Sequence, residues 1–335
     1  MPTEKEPTNG VLEDFRVAFL DCWHRLPNKG FFFLLLAAWL ALFHFLGNAT
    51  LGYIYYDRTS SLYRWMLDAY DPAGNYLQSD DGHGVIIPFV VLALFWWKRK
   101  ELLAQPLRTW PAGLWLVAFA LVLHIFGYLG QQPKASVLAL FIGIYGLMGL
   151  AWGPAFLKAS FFPFFLFAFC VPLGMQARFI SFPLRKLVCQ LVTFVANGFL
   201  AIDVQRDGTA LINADGHYQY EIAAACSGIR SLLATLALSM IYAFVSFPKW
   251  WKRLVLIASA FPLAVIGNLV RMLTIIIAAE IGGQNWGNYL HEGGPGGVFS
   301  LMPYVPAFAG LLLIGHWLRE REPGQPALVL KTETA

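Results

Sequence analysis

The sequence has 335 residues, of which 58% are hydrophobic and 13% charged, and its mean hydropathy is +0.56. This composition lies outside the range of soluble domains and excludes a soluble enzyme. The net charge of +4 resides in short basic clusters between apolar runs, so it reflects membrane topology and not nucleic-acid binding. We therefore expect a protein that crosses a membrane several times.

The predicted elements begin with a polar, cytoplasmic segment over 1–30 and an uncleaved first span, because no signal-peptide cleavage site follows that span. Each apolar run approaches the roughly 20 residues needed to cross a hydrocarbon core. The predicted fold class is an all-α membrane protein, a polytopic bundle of about eight transmembrane helices forming one domain over 31–318, with a cytoplasmic polar tail over 319–335. The runs centre on 31–48, 84–97, 113–129, 135–157, 159–174, 223–246, 254–279 and 297–318.

The orientation follows from three basic and aromatic clusters, which are typical of the cytoplasmic ends of spans. The amphipathic stretch 176–200 is expected to lie in the membrane interface, because a single crossing would move the second cluster outside. With zero or two crossings there, Cys226 falls on the outer side and both termini are cytoplasmic. The clusters are 96–100, 247–253 and 316–322.

Residues 203–222 change character, from apolar to alternating. Two Asp-Gly pairs flank short runs in which Tyr218, Tyr220 and Ile222 alternate with polar residues. This pattern predicts a small extracytoplasmic β-hairpin.

The next apolar run begins with a cysteine close to a positive charge. Ser227 and Gly228 stand where a helix is expected to begin, and Arg230 lies one turn further on. A helix N-terminus and a cation both favour a thiolate, which would make Cys226 a nucleophile. The alternative is that Cys226 is a small apolar residue and that Arg230 snorkels to the interface.

The seventh span carries Asn268 and Arg271, which are three residues apart and share a helix face. An arginine inside a span costs roughly 2.5–3.5 kcal/mol on insertion scales and needs a partner. It either stabilises a developing negative charge or is a structural arginine bonded to helix-end carbonyls or to Asn268.

A Gly-rich outer loop with Glu280, His291 and Glu292 is expected after that span. A histidine exchanges protons near neutral pH, although in an outer loop it is often only a solvated residue. On one topology the cysteine, the arginine and the histidine meet at the same membrane face. Together they indicate acyl transfer by a Cys-His-Arg site.

The other cysteines, Cys22, Cys170 and Cys189, are expected to be small apolar residues. The four cysteines form no CxxC pair and no metal-ligand spacing with histidine, so we expect neither a disulfide framework nor a metal or cofactor.

Four blocks of the sequence resemble the exosortase/archaeosortase family, over about residues 80 to 315. They are "DGHGVIIPFVVLALFWWKRK" (81–100), "AACSGIRSL" (224–232), "NLVR" (268–271) and "LHEGGPGGVF" (290–299). The resemblance implies a membrane-embedded cysteine transpeptidase of the bacterial inner membrane. Its partners would be membrane lipids, an acceptor nucleophile and exported proteins with a C-terminal tripartite sorting signal of the PEP-CTERM type.

Carried over residue by residue, the resemblance makes Cys226 the nucleophile, Arg271 the essential arginine and His291 the third site residue. Asn268 would support the oxyanion, and Arg230 and Ser227 would contact the substrate. His83 would help to bind the signal, or act instead as a capping or interfacial residue.

The chain also departs from the family pattern. Ala224 stands where many relatives have a glutamate, and Glu221 is the only carboxylate near it in sequence. The chain ends soon after its last span, so we do not expect the subtype with a fused C-terminal domain.

Two other classes remain open. A transporter would use Arg271 to bind an anionic substrate, and would show half-helices or an internal repeat, which the sequence lacks. A lipid-linked glycan or acyl transferase would tolerate loss of Cys226 but not of Arg271 or the histidines. A membrane scaffold would tolerate all of these losses.

Overall fold

A computed structural model describes residues 10–49, 59–71, 74, 79–173, 178–221 and 229–320. The described part is mostly helical, with short 3₁₀ turns at Gly82–Val85, Leu166–Cys170 and Pro295–Leu301. The helices are α1 (Val11–Arg25), α2 (Lys29–Phe45), α3 (Leu62–Tyr70), α4 (Ile87–Trp97), α5 (Arg99–Leu103), α6 (Gly113–Leu129), α7 (Pro133–Trp152), α8 (Pro154–Phe165), α9 (Arg178–Phe199), α10 (Ile229–Ser246), α11 (Trp250–His291) and α12 (Tyr304–Glu320).

The chain divides into two compact units. The N-terminal unit holds α1 to α8, and the C-terminal unit holds α9 to α12, all the strands and residues 79–80. The single domain predicted over 31–318 therefore stays a prediction.

Membrane-spanning capacity follows from helix length and hydropathy. Five helical segments are long and apolar enough to cross, and the bent pair α1–α2 makes a sixth if it is one span. Three shorter apolar helices lie at Ile87–Trp97, Gly113–Leu129 and Pro154–Cys170. Each of the eight predicted runs coincides with a described helix, so the prediction of an all-α membrane fold is confirmed. The five are Pro133–Trp152, Phe179–Phe199, Ile229–Ser246, Trp250–His291 and Gly297–Arg319.

Small residues bring the helices of the N-terminal unit close together. Gly146 on α7 lies against α6, where an added Cβ would crowd Leu116 and Val117. Gly143 accommodates the ring of Trp39 from α2, and the Trp39 indole donates a hydrogen bond to the Leu140 carbonyl at 3.0 Å. Close backbone approach of this kind stabilises helix pairs in an apolar solvent, where burial of apolar area adds little.

The predicted β-hairpin is confirmed, and a third strand extends it. Strands β1 (Val204–Asp207), β2 (Ala210–Asn213) and β3 (Gln219–Glu221) form an antiparallel sheet in that order. The two Asp-Gly pairs supply the turns, since Gly208 and Gly216 have φ of +61° and +72°, which favour glycine.

The core of the C-terminal unit lies where the sheet packs between α9 and α11. One stripe of α9 is buried while Phe179, Phe194 and Phe199 on its other positions are exposed. This helix has the length and hydropathy of a span, so its predicted interfacial placement stays a prediction. The core residues include Leu184, Val188, Val192, Leu211, Tyr218, Tyr220, Met272, Ile275 and Ile276.

Helix α11 contains a break at Gly283, and the loop predicted after the seventh span is wrong over residues 280–291. Residues 280–291 were expected to be loop, but they are helical, and Gly283 alone departs from helical geometry with φ 75° and ψ 179°. The glycine allows the second segment to take a new direction. Tyr220 of β3 then holds that segment, because its hydroxyl donates to the Gln284 carbonyl at 3.0 Å.

Candidate active site

The proposed nucleophile lies outside the described residues, as do Ser227 and Ala224. The described chain resumes at Ile229, where α10 begins, and β3 ends at Glu221. The predictions that the strand ends near Ile222 and that a helix starts just after the cysteine fall on residues 222–228, outside the described part of the chain.

Arg271 is buried, with 5% of its surface exposed, and reaches back to the end of its own helix. Its Nη2 donates a hydrogen bond to the backbone carbonyl of His291 at 3.2 Å. The ring of His291 stacks on Tyr220, with 6.1 Å between centroids and 27° between planes. The structure therefore brings Arg271 and His291 together, as the sequence analysis expected, through the main chain of the histidine.

Asn268, one turn before Arg271, connects α11 to α10. Its side-chain amide donates to the Ser231 hydroxyl at 2.8 Å and to the Ala264 carbonyl at 3.1 Å. Asn268 and Ser231 are both buried, so these bonds are shielded from water. Because Ser231 follows Arg230, this connection holds the first turn of α10 beside Arg271.

Arg230 and Arg271 line one small pocket within the C-terminal unit. Its free volume is about 10 Å³, which is space for about one oxygen-sized group. Two guanidinium groups around such a space can stabilise a negatively charged oxygen, whereas both N–H groups of the Asn268 amide are already bonded. The Nε of Arg271 is buried and has no hydrogen-bond partner among the described residues. The lining residues are Arg230, Ser231, Asn268, Arg271, Ser300, Pro303 and Tyr304.

Asp80 forms an ion pair with Arg230, with Oδ1 and Nη2 3.8 Å apart. The Arg230 side chain is 12% exposed and that of Asp80 is 31% exposed. A carboxylate at this distance offsets part of the positive charge and orients the guanidinium.

Four polar residues of this site were not predicted from the sequence: Asp80, Ser231, Ser300 and Tyr304. Asp80 directly precedes the first family-like block, and Ser231 lies within the second, so their positions carried a signal. Tyr304 begins a span, where tyrosine is usual at the membrane interface, and nothing in its position distinguished it.

Two other predicted residues are not among those that line the pocket. His83 belongs to the N-terminal unit, in the 3₁₀ turn before α4, and meets the Phe169 ring edge-on at 6.4 Å. Glu280 is bound to the sheet, because its Oε2 accepts from the Tyr218 hydroxyl at 3.2 Å and the Asn213 amide at 3.4 Å. Glu280 is thus a structural partner of the strands.

The side chain of Tyr218 is almost fully buried beside Glu280. Burial and the negative charge of Glu280 outweigh the lowering effect of the Asn213 hydrogen bond and raise the pKa of Tyr218 to about 12. The phenol therefore stays a hydrogen-bond donor throughout the neutral range.

Within the described ranges, no group of three or more His, Cys, Asp or Glu side chains is arranged to hold a metal ion. The polar side chains that line the pocket itself are two cations, an amide and hydroxyls, and the cations suit an anion or a developing oxyanion.

Comparison with known proteins identifies the family. The family model for transmembrane exosortases matches residues 75–314, which is most of the chain and includes the pocket, the β-sheet, α10, α11 and the first part of α12. No match was found among curated proteins or solved structures. The chain belongs to the transmembrane exosortase family, and as a member it is a membrane protein of the protein-sorting transpeptidase type.

Proposed function

We propose that this chain is a cysteine transpeptidase that cleaves a C-terminal sorting signal through a thioester and transfers the new C-terminus to an acceptor. The observation that carries the proposal is the pocket of Arg230, Asn268 and Arg271, which lies beside the carbonyl of His291. It offers buried donors and positive charge at a space of oxygen size, as acyl transfer requires.

Covalent connectivity supports Cys226 as the nucleophile. Only two residues separate it from Ile229, so its Cα lies within about 11 Å of that residue's Cα, even if the chain is extended. Arg230, the next residue along, lines the pocket. The short connecting chain therefore keeps Cys226 near the start of α10 and so near the donors of the pocket.

The proposed reaction has two acyl-transfer steps. The Cys226 thiolate attacks the scissile carbonyl, and Arg271 stabilises the oxyanion. Asn268 positions the pocket, because both N–H groups of its amide already donate to Ser231 and Ala264. The C–N bond breaks as the His291 imidazolium protonates the leaving amine, and a thioester forms. The neutral imidazole then takes a proton from an acceptor amine or water, which attacks the thioester and releases the thiolate.

The proposed substrates are exported proteins with a short signal of the PEP-CTERM type, one span and a basic tail. Their span would dock against the helices in the bilayer and place the signal near the pocket, with Ser227 and His83 as further contacts. The proposed location is the bacterial inner membrane, with both termini cytoplasmic and the site extracytoplasmic.

The test is a processing assay in cells that express this chain with such a substrate. We expect the Cys226→Ala and Cys226→Ser enzymes to accumulate at normal levels but to leave the substrate unprocessed. The control is Cys22→Ala, which removes a half-buried thiol and should process the substrate normally. A thioester trapped by hydroxylamine should be absent from Cys226→Ala. Normal processing by Cys226→Ala contradicts the assignment of Cys226 as the nucleophile.

The proposed sidedness has its own test. An epitope inserted between Asp207 and Gly208, an open turn of the sheet, should be accessible to antibody in spheroplasts without permeabilisation. A matched epitope after Lys249, between α10 and α11, should require permeabilisation. The reverse pattern would place the site in the cytoplasm.

A further inference from the structure

The N-terminal helix α1 leaves the first predicted span at a right angle. The axes of α1 and α2 differ by 94°. The corner is bonded to the end of α7, since Asn28 donates to the Ala151 carbonyl at 3.1 Å and the Trp152 indole donates to the Pro27 carbonyl at 2.9 Å. If α2 crosses the bilayer, α1 lies along its surface.

The composition of α1 fits that position. With 15 residues it is too short to cross, and it carries Glu13, Asp14 and Arg25 beside exposed aromatic side chains. A helix that carries both charged and exposed aromatic side chains is typical of the membrane interface.

An apolar groove of about 680 Å³ lies between α1, α2, α4 and α5. Phe15 of α1 contacts Trp96 at the end of α4, with 4.7 Å between ring centroids. The volume is within the range of sites for small organic ligands. Aromatic and aliphatic side chains line the groove, including Phe15, Phe19, Trp23, Phe33, Leu92 and Trp96.

A polar pocket of about 400 Å³ continues this groove and shares Cys22, Arg99 and Leu103 with it. Its charged side chains are Arg25, Arg99, Lys100 and Asp21, which sum to two positive charges. Asp21 is bonded to Arg25 at 2.9 Å.

Arg99 is held at the junction of the two parts. Its guanidinium carbon lies 4.2 Å from the centroid of the Trp96 ring, and its Nη1 donates to the Trp96 carbonyl at 2.9 Å. The Arg99 guanidinium thus lies against the Trp96 ring and lines both the apolar groove and the polar pocket.

We propose that this composite groove binds one anionic phospholipid, with an acyl chain against the aromatic residues and the phosphate at Arg25, Arg99 and Lys100. The charge complementarity selects this occupant, because an apolar peptide or a zwitterionic lipid would leave two positive charges uncompensated. The site belongs to the N-terminal unit and does not depend on the proposed peptidase activity.

The test uses the purified full chain, stripped of lipid and titrated with phosphatidylglycerol or with phosphatidylcholine of the same chains, and counts bound lipids by native mass spectrometry. We expect wild type to prefer phosphatidylglycerol. Arg25→Gln, Arg99→Gln and Lys100→Gln combined should weaken its binding by about fivefold for each cation removed. Lys158→Gln, an exposed lysine outside the groove, is the matched control and should bind normally.

A second measurement on wild type keeps the proposal testable if the triple variant fails to fold. Cys22 lines both parts of the groove and is partly exposed. Its alkylation by a neutral maleimide, followed by peptide mapping, should be several-fold slower with phosphatidylglycerol than with phosphatidylcholine. Equal protection by the two lipids, or wild-type binding by the triple variant, overturns the proposal.

Discussion

The guanidinium of Arg271 donates a hydrogen bond to the backbone carbonyl of His291, twenty residues further along the same helix. A straight helix would place these residues about 30 Å apart. The break at Gly283 allows the chain to fold back toward Arg271. The hydrogen bond from Arg271 then helps to fix the segment that follows the break. Arg271 therefore both lines the anion-sized pocket and fixes the end of α11.

The first prediction separates charge from geometry at this residue. Arg271→Lys keeps the positive charge but loses the planar guanidinium, which donates to the His291 carbonyl and also lines the pocket. We expect processing to fall about 10²–10³-fold in both Arg271→Lys and Arg271→Gln, as for loss of an oxyanion donor. Initial rates of substrate cleavage at matched protein levels measure this. A lysine variant with nearly normal rates would show that charge alone is needed.

The second prediction concerns the connection between α10 and α11. Asn268→Ala removes the bond to Ser231 and leaves a buried hydroxyl without that donor, so the free energy of unfolding should fall by about 1–2 kcal/mol. Ser231→Ala should cost a similar amount, and the double variant less than the sum. Unfolding in detergent measures the three values, with Ser259→Ala, whose hydroxyl donates to its own helix, as the control. Strict additivity would contradict the coupling.

The third prediction concerns the segment after the break. Gly287 lies against the Tyr220 hydroxyl, and an added Cβ would overlap it. Gly287→Ala should therefore displace the segment that carries His291, at a cost of about 1–3 kcal/mol, and reduce processing. Gly198→Ala, a helical glycine with open space around it, should be neutral or slightly stabilising. Partial rescue by Tyr220→Phe would identify the overlap as the cause, whereas an unperturbed Gly287→Ala would refute the close contact.

The fourth prediction follows from the raised pKa of Tyr218. Its pKa rises from a usual value of 10 to about 12 in the folded chain, so the protonated phenol is favoured by folding. The corresponding stability is fully present below pH 10 and is lost as the pH rises from 10 to 12. Wild type should lose about 1 kcal/mol relative to Tyr218→Phe between about pH 8 and about pH 11. Parallel curves of unfolding temperature against pH would contradict this.

Local patterns predicted most of the elements. The apolar runs became helices because a chain in hydrocarbon must satisfy its backbone bonds within each segment. Asp207-Gly208 and Asp215-Gly216 became turns because glycine accepts positive φ. The prediction of a loop over 280–291 was wrong, because glycines favour loops in general but most of this segment is helical here. Only Gly283 breaks the helix, and contacts with Tyr220 hold the rest.

Hydropathy, turn residues and motif spacing are local properties, so they were enough to predict an all-α membrane protein with a small β-hairpin and an exosortase-like set of motifs. The three-dimensional contacts were needed to show that Arg271 bonds the main chain of His291 and that four polar residues join the arginines: Asp80, Ser231, Ser300 and Tyr304. Those contacts join residues far apart in sequence through packing of α10, α11 and α12, and such packing depends on side-chain shape that no single segment encodes.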